Sequence, residues 1–362
     1  MEALAGRARS IAALAVATLS DVARRAGVSE ATASRVLNGR RHVAAATRDR
    51  VRQAALDLEY VPHHAARGLA MARSATVALL VHHSQYPAHG EGTFSSRVVD
   101  GISRELRAGG HDLLYMPVDN RGVRNLTTIP SIRAGRTDGV IVLGPAFPRD
   151  ALRALRASGR PIVLVDNRMR DTDAVLADNR RGMAALGRHL VADHGYRRIA
   201  CFAGPATWPS TEERIAGIRD AMVGTPAQLT VLRARETTMR DGAALAARIL
   251  ADRPDVIVAV NDAMAIGAIH RLRGTAARGI PVTGFDDIAW AQLSEPPLTT
   301  VAVDAAAIGA EAARLLLARL GDDPLSTSSP ARDIRVPAMV RVRRSCGCGP
   351  DPVSSLDRRG GG

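Results

Sequence analysis

Residues 18–42 read TLSDVARRAGVSEATASRVLNGRRH. Ser20 can cap a first helix, and Asp21 falls in its first turn, where the helix dipole favours negative charge. Val22, Ala23 and Ala26 make one short apolar stripe. Gly27 ends the helix, as a residue tolerant of positive φ should. Val28 fills the corner, Ser29 caps a second helix over 30–37, and Asn38-Gly39 stops it.

The second helix divides by face. Ala33, Val36 and Leu37 point inward, leaving Glu30, Ala31, Thr32, Ser34 and Arg35 for solvent or a ligand. Small hydroxyls and an arginine on a helix suit phosphates and guanine edges, although an ordinary helical hairpin with a polar outer face has the same spacing. Thr47 can cap a third helix running to about Leu58, with Val51, Ala54, Ala55 and Leu58 on its apolar side. Tyr60-Val61-Pro62 stops it, since proline disfavours helix in the residue before it. An alanine-rich segment, HHAARGLAMARS over 63–74, follows, with Leu69 as its main bulky residue.

Residues 18–74 thereby carry, in order, T-L-x-D-V-A-x-x-A-G-V-S-x-x-T-x-S-R-V-L-N, then V-x-x-x-T-R-x-x-V, then Y-x-P-x-x-x-A-x-x-L. This stretch resembles the DNA-binding headpiece and hinge of the lactose-repressor/galactose-repressor (LacI/GalR) family. The resemblance implies that Glu30, Ala31 and Arg35 face base edges in the major groove. It implies phosphate or docking contacts for Ser29, Thr32, Ser34, Asn38 and His42. Ala66 and Leu69 would meet DNA from the hinge, Leu69 as an apolar wedge in the minor groove. Packing between two hinge helices is the other use of Leu69. One departure is Gly68 inside the presumed hinge helix, where glycine costs about 0.5–1 kcal/mol against alanine. The hinge is expected to be ordered only on an operator.

Composition agrees less specifically. The chain has 362 residues and a formal charge of +13. All 49 basic residues are arginine, which with the abundant alanine points to a GC-rich genome and weakens the overall charge as a sign of nucleic-acid binding. The local count says more: residues 16–73 hold ten arginines against five acids, so phosphate contacts should make affinity fall steeply with salt. Residues 1–17 are expected to be a flexible extension, or translation to begin at Val16. Their short apolar run does not make an export signal, and no stretch of about 20 apolar residues could cross a membrane.

From Ala75 onward apolar runs alternate with helical stretches: TVALLV, a helix over 96–109, DLLYMPV, 121–134, DGVIVLG, 149–158 and PIVLVD, then 180–194, IACFAG, 211–223, LTVLRA, 239–251, DVIVAV, 262–273 and IPVTGF. Such runs predict parallel strands covered on both faces. The fold class expected is an all-α helix-turn-helix headpiece (18–62) with a hinge helix (63–74), joined to an α/β two-lobed, periplasmic-binding-protein-like (type I) effector and dimerisation domain (75–345). The chain should cross between lobes near 167–174, 299–304 and 325–335.

Ligands of open α/β sheets sit beyond the carboxyl ends of strands, which in two lobes face a common cleft. Asp166 and Asn167 end one strand. Trp208 and Ser210 follow another, with Arg214 a turn on. Asn261 and Asp262 follow a third, and Asp286 a fourth. By resemblance Arg214, Asn261, Asp262 and Asp286 bind or border the effector, Trp208 and Ser210 lie in the loop that varies with ligand, and Phe94 and His83 line the other wall. Asp262 could instead cap the next helix, and Asp286 brace its turn. Arginine, carboxylates, amides and an aromatic ring together suit a sugar or sugar derivative, with a purine or another metabolite as the alternative.

Three histidines, 82, 83 and 89, lie in a long loop, but no cysteine or carboxylate pattern nearby completes a metal site. Cys346-Gly347-Cys348 has no partner in sequence that would make a zinc signature. The few thiols fit a reducing compartment. No catalytic motif occurs, and neither metal nor cofactor is expected. The tail 346–362 is expected to be disordered, without heptads for a tetramer. The sequence thus predicts a cytoplasmic, homodimeric, nucleoid-associated regulator, more a repressor than an activator. It would bind double-stranded DNA at a palindromic operator, under a small-molecule effector of carbohydrate class. The alternative is a small-molecule binding protein with a degenerate headpiece.

Overall fold

The computed structural model describes residues 17–37, 43–60, 74–82, 93–321 and 330–349. Two compact units divide the chain, Met1–Ser74 and Ala75–Gly362. Asn38, His42, Ala66 and Leu69, with Gly68 and the rest of the hinge segment up to residue 73, lie outside the described residues. So do residues 1–16 and the tail from 350.

The first unit is three helices, α1 (Leu19–Ala26), α2 (Glu30–Leu37) and α3 (Ala45–Asp57). The cap of α1 is Thr18, not Ser20: Thr18 accepts from the Asp21 N–H while the Asp21 carboxylate accepts from the Thr18 N–H, a reciprocal capping box. Gly27 closes α1 at φ 64°, a conformation that costs glycine nothing and other residues about 1–2 kcal/mol. The Ser29 hydroxyl accepts from the Thr32 N–H at the start of α2. Helix α3 begins at Ala45, so Thr47 lies inside its first turn instead of capping it. Val22, Ala23, Ala26, Ala33, Val36, Val51 and Ala54 form the buried core, with Leu19, Leu37, Leu58 and Tyr60 packed around it.

The second unit holds two six-stranded sheets among the described residues. The first lobe contains β1 (Thr76–His82), α4 (Phe94–Ala108), β2 (Asp112–Val118), α5 (Pro130–Arg133), β3 (Gly139–Leu143), α6 (Arg149–Ala157), β4 (Ile162–Val165) and β5 (Asp173–Ala177). The second contains α7 (Asn179–Arg188), β6 (Arg198–Ala203), α8 (Pro209–Met222), β7 (Gln228–Arg233), α9 (Met239–Ile249), β8 (Val256–Ala259), α10 (Asp262–Leu272), β9 (Val282–Asp286), α11 (Ala289–Leu293) and β10 (Thr299–Val303). Helix α12 (Ala305–Leu320) returns to the first lobe, where β11 (Asp333–Val336) pairs parallel to β5. Strand β12 (Ala338–Arg341) pairs antiparallel to β10 in the second. The sheet orders are β11-β5-β4-β3-β1-β2 and β12-β10-β9-β8-β6-β7.

The fully apolar runs follow from burial on both faces. In the first lobe Ala78, Leu80, Val140, Val142 and Leu164 face Leu126, Ile132, Leu152 and Leu155. The alternate residues Leu79, Val81, Ile141 and Val163 face Val98, Ile102 and Leu106 of α4. Two expectations are corrected. Strand β5 still pairs with β4, so the first crossover falls at Asp178, past 167–174, and the last at Pro337, past 325–335. The helix expected over 121–134 is two single turns and the short α5: Gly122 and Pro130 interrupt it, and Asp119 accepts from the Gly122 N–H at 2.6 Å.

Candidate DNA-reading helix and inter-lobe cleft

On α2 the outward set is the exposed one. Ser29, Glu30, Ala31 and Arg35 are exposed, Thr32 and Ser34 half-buried, and Ala33 and Val36 buried. Thr32 and Ser29 share a hydroxyl hydrogen bond of 2.9 Å, which fixes the first turn. The surface so formed carries an acid, a methyl and a guanidinium in one row, groups able to meet cytosine amines, thymine methyls and guanine edges.

In the second unit the carboxyl ends of β4, β6, β8 and β9 bring together Asp166, Ser210, Arg214 and Asp286. Arg214, 7% exposed, projects from the second turn of α8. Its Nε donates to Asn179 Oδ1 at 2.8 Å and one terminal nitrogen to the Val260 carbonyl at 2.5 Å. The other terminal nitrogen approaches Asp286 at 3.4 Å, and the guanidinium lies 3.8 Å from the Phe285 ring centroid. Burial pushes the Asp286 carboxyl up to about 7 against the pull of Arg214, with the Asp166 charge adding to the rise. Asp166, from the first lobe, rises to about 6 by burial, opposed by Arg214 and by a hydrogen bond with Ser210 of the second lobe. One buried arginine thus pairs with Asp286 and acts by its charge on Asp166 of the other lobe.

The backbone is unusual at the same place. Asp166, Asp286 and Asp287 take φ of 55°, 110° and 51°, a region that non-glycine residues enter at a cost and that gathers at ligand sites.

Other expected residues hold backbone. Asn261, not Asp262, caps α10, accepting from the Met264 N–H at 2.9 Å and donating to the Thr237 carbonyl at 2.9 Å. Asp262 is 0% exposed; it accepts from Thr300 at 2.5 Å and the Ile288 N–H at 2.9 Å. Burial and then the neighbouring Asp286 raise its pKa well above the ordinary range. Asn167 is buried and donates to the Gly144 carbonyl. Trp208, half-buried, precedes α8 and packs against Gly204. Phe94 opens α4, half-buried against the core. His82 pairs with Asn120 at 2.9 Å, while His83 and His89 lie outside the described residues.

Sequence reasoning missed the groups that bridge the lobes. Arg335 of β11 makes a two-pronged ion pair with Glu213 of α8 at 2.6 and 2.8 Å. Glu213 also accepts from Asn179. Arg97 of α4 donates to the Asp287 carbonyl at 3.4 Å. No local signal marks the Arg335–Glu213 pair, because the sequence presents residues 333–336 as part of a crossover and not as a strand. The tail cysteines also gain partners: His189 and His194 stand beside Cys346 and Cys348, correcting the reading that leaves them alone.

Comparison with known proteins is in agreement over almost the whole length. Residues 18–63 match the family described as bacterial regulatory proteins, lacI family, and residues 74–340 match periplasmic binding proteins and sugar binding domain of LacI family. The chain is 31% identical to the HTH-type transcriptional regulator CelR of Thermobifida fusca, over 87% of this chain and 94% of that one. Its fold is similar to the lac repressor dimer bound to operator and the anti-inducer ONPF (TM-score 0.77, 27% identity, 91% of this chain and 99% of that one). It is also similar to a CelR–cellobiose complex (TM-score 0.66, 28% identity, 91% and 99%).

Proposed function

The chain belongs to the LacI family of bacterial regulatory proteins, and from that premise we propose that it is an operator-binding repressor released or recruited by a saccharide held between its lobes. The observation that carries the ligand reading is the buried Arg214–Asp286 pair over the Phe285 ring, with Asp166 of the other lobe within reach of the arginine's charge and positive φ at Asp166, Asp286 and Asp287. Three of Arg214's five donor hydrogens are engaged within the protein, which leaves two for ligand hydroxyls. The carboxylates supply acceptors for the same hydroxyls, and Trp208 offers a flat apolar face beside them. Phe94, Ser210 and Asn261 complete the rim, and Asn167 and Asp262 set its shape from behind.

On the DNA side, Glu30, Ala31 and Arg35 read base edges, and Ser29, Thr32, Ser34, Asn38 and His42 fix the docking through phosphates. Ala66 and Leu69 act from the hinge, with Leu69 as the wedge. A dimer presents two such helices to a palindrome, as the lac repressor dimer is bound to operator. Ligand closure shifts the inter-lobe contacts Arg335–Glu213 and Arg97–Asp287, which makes the coupling allosteric in the strict sense of two sites and two global states. The free donors of Arg214 and the carboxylates of Asp166 and Asp286 suit a hydroxylated ligand, and the chemistry supported is binding without turnover.

The test is a panel of mono- and disaccharides, with purine bases as controls, screened by thermal shift of the full chain and then by mobility shift on its operator. A saccharide that raises the melting temperature and changes operator affinity is the expected result. A shift with a purine alone would reject the ligand class, and no operator complex with or without any ligand would reject the repressor.

A further inference from the structure

We infer that His189, His194, Cys346 and Cys348 form a structural zinc site that pins the end of the chain to the second lobe, independently of the effector reading. Their four ligand atoms lie within 4.8 Å of one another. The Cys348 Sγ is 3.3 Å from His194 Nε2 and 3.7 Å from His189 Nε2. A tetrahedral zinc with Zn–S of about 2.3 Å and Zn–N of about 2.0–2.1 Å sets S···N separations of about 3.5 Å and S···S of about 3.8 Å. Sub-ångström side-chain movement closes the cluster around an ion. The two imidazoles stand edge to face, with centroids 4.8 Å apart at 86°, so both can aim a nitrogen at one point.

The surroundings are those of a metal shell. His189 turns its other nitrogen, Nδ1, to the Asp193 carboxylate at 2.8 Å, the carboxylate–histidine–metal arrangement that fixes a ligating ring. His194 is stacked on Tyr196, 5.1 Å between centroids, and the Tyr196 hydroxyl donates to the Cys346 carbonyl at 2.8 Å. Gly347 between the cysteines takes φ 96°, and a Cβ there would meet the Tyr196 hydroxyl at 2.7 Å, so the loop brings both sulfurs round only with glycine.

Two thiolates and two neutral imidazoles select zinc over hard cations. Binding releases the two thiol protons and leaves the site uncharged. All four positions belong to the protein, which is the closed geometry of a structural site. Its place agrees: Ser345 accepts from the Thr299 N–H and donates to the Val282 carbonyl, at the amino ends of β10 and β9. That is the end of the lobe opposite the cleft.

The experiment uses untagged full-length protein, purified reduced and without chelator, with zinc measured by plasma mass spectrometry. Stoichiometric zinc in the parent and in Cys201→Ala, lost in Cys348→Ser and His194→Ala, is the expected result. Should the variants fail to fold, the parent decides: cobalt exchanged for zinc should give the intense visible absorption and sulfur charge-transfer band of a tetrahedral thiolate site. Trace zinc that Cys348→Ser leaves unchanged, or no such cobalt spectrum, would overturn the site.

Discussion

Replacing Arg214 by methionine keeps the volume of a buried side chain and deletes its charge. The loss removes two charge-assisted hydrogen bonds, to Asn179 Oδ1 and the Val260 carbonyl, and the longer approach to Asp286. Hydrogen bonds to charged groups contribute about 1.5–3 kcal/mol each, and breaking a buried pair from one side costs about 3–5 kcal/mol because the other charge stays behind. These describe one loss and are not summed. Asn179 keeps its bond to Glu213, and Asp286 can take up a proton, so the lower end, about 3 kcal/mol, is expected for stability. For a unit of this size that lowers the melting temperature by about 6–12 °C. The ligand loses a further arginine–hydroxyl pair, so saccharide affinity should fall by about 10- to 100-fold. Calorimetry with the saccharide found by thermal shift, below the variant's own melting point, reads both numbers. A folded variant that melts lower but keeps full saccharide affinity would refute Arg214 as a ligand contact and leave it a brace.

The remaining predictions concern acids, the fold and the DNA. Asp286 sits at about 7 and Asp166 at about 6, both from 3.8, so between about pH 4 and 7 the native chain holds protons that the unfolded chain has released. Stability therefore falls as pH rises through that window, and Asp286→Asn should lessen the slope of the melting temperature over it, with Asp166 left to titrate; an unchanged slope would assign the titration elsewhere. Asp262→Ala orphans the Ile288 N–H and the Thr300 hydroxyl and should cost about 2–4 kcal/mol in denaturant unfolding, whereas a melt equal to the parent's would show that these bonds carry nothing. Arg35→Ala should weaken operator binding by about 1–3 kcal/mol and relax selection at one base position, read by mobility shift on an operator series; a uniform loss across sequences would make it a phosphate contact.

Much of this was legible because it rested on local rules. The strands β1, β3, β4, β6 and β8 announce themselves as apolar runs, since both faces are buried. Helix α2 follows from Ser29 and from the split between Ala33, Val36 and the hydroxyl face. Strands β5, β10, β11 and β12 were not recognised as strands. Strands β11 and β12 are four-residue, half-exposed edge strands on either side of Pro337, without the apolar run that marks a strand buried on both faces. Helix α12 is apolar over most of its length because it packs against β3–β5 and α4, and Glu311 and Arg314 mark its narrow outer face. Caps fall one to three residues from the best-looking side chain, at Thr18 beside Ser20, Asn261 beside Asp262 and Ala44 before Thr47. The cleft residues on strand ends were found from topology, but Arg97, Glu213 and Arg335 meet only through pairings between distant strands. The same distance hides the histidine partners of Cys346 and Cys348, more than 150 residues away.

The most direct test of a ligand-controlled operator-binding repressor is selection of fragmented genomic DNA by the purified full chain at near-physiological salt, followed by sequencing, with and without saccharide. The account predicts a recurrent palindrome, upstream of few operons, whose recovery changes when the saccharide is added. Diffuse, salt-sensitive recovery with no shared sequence in either condition would contradict it.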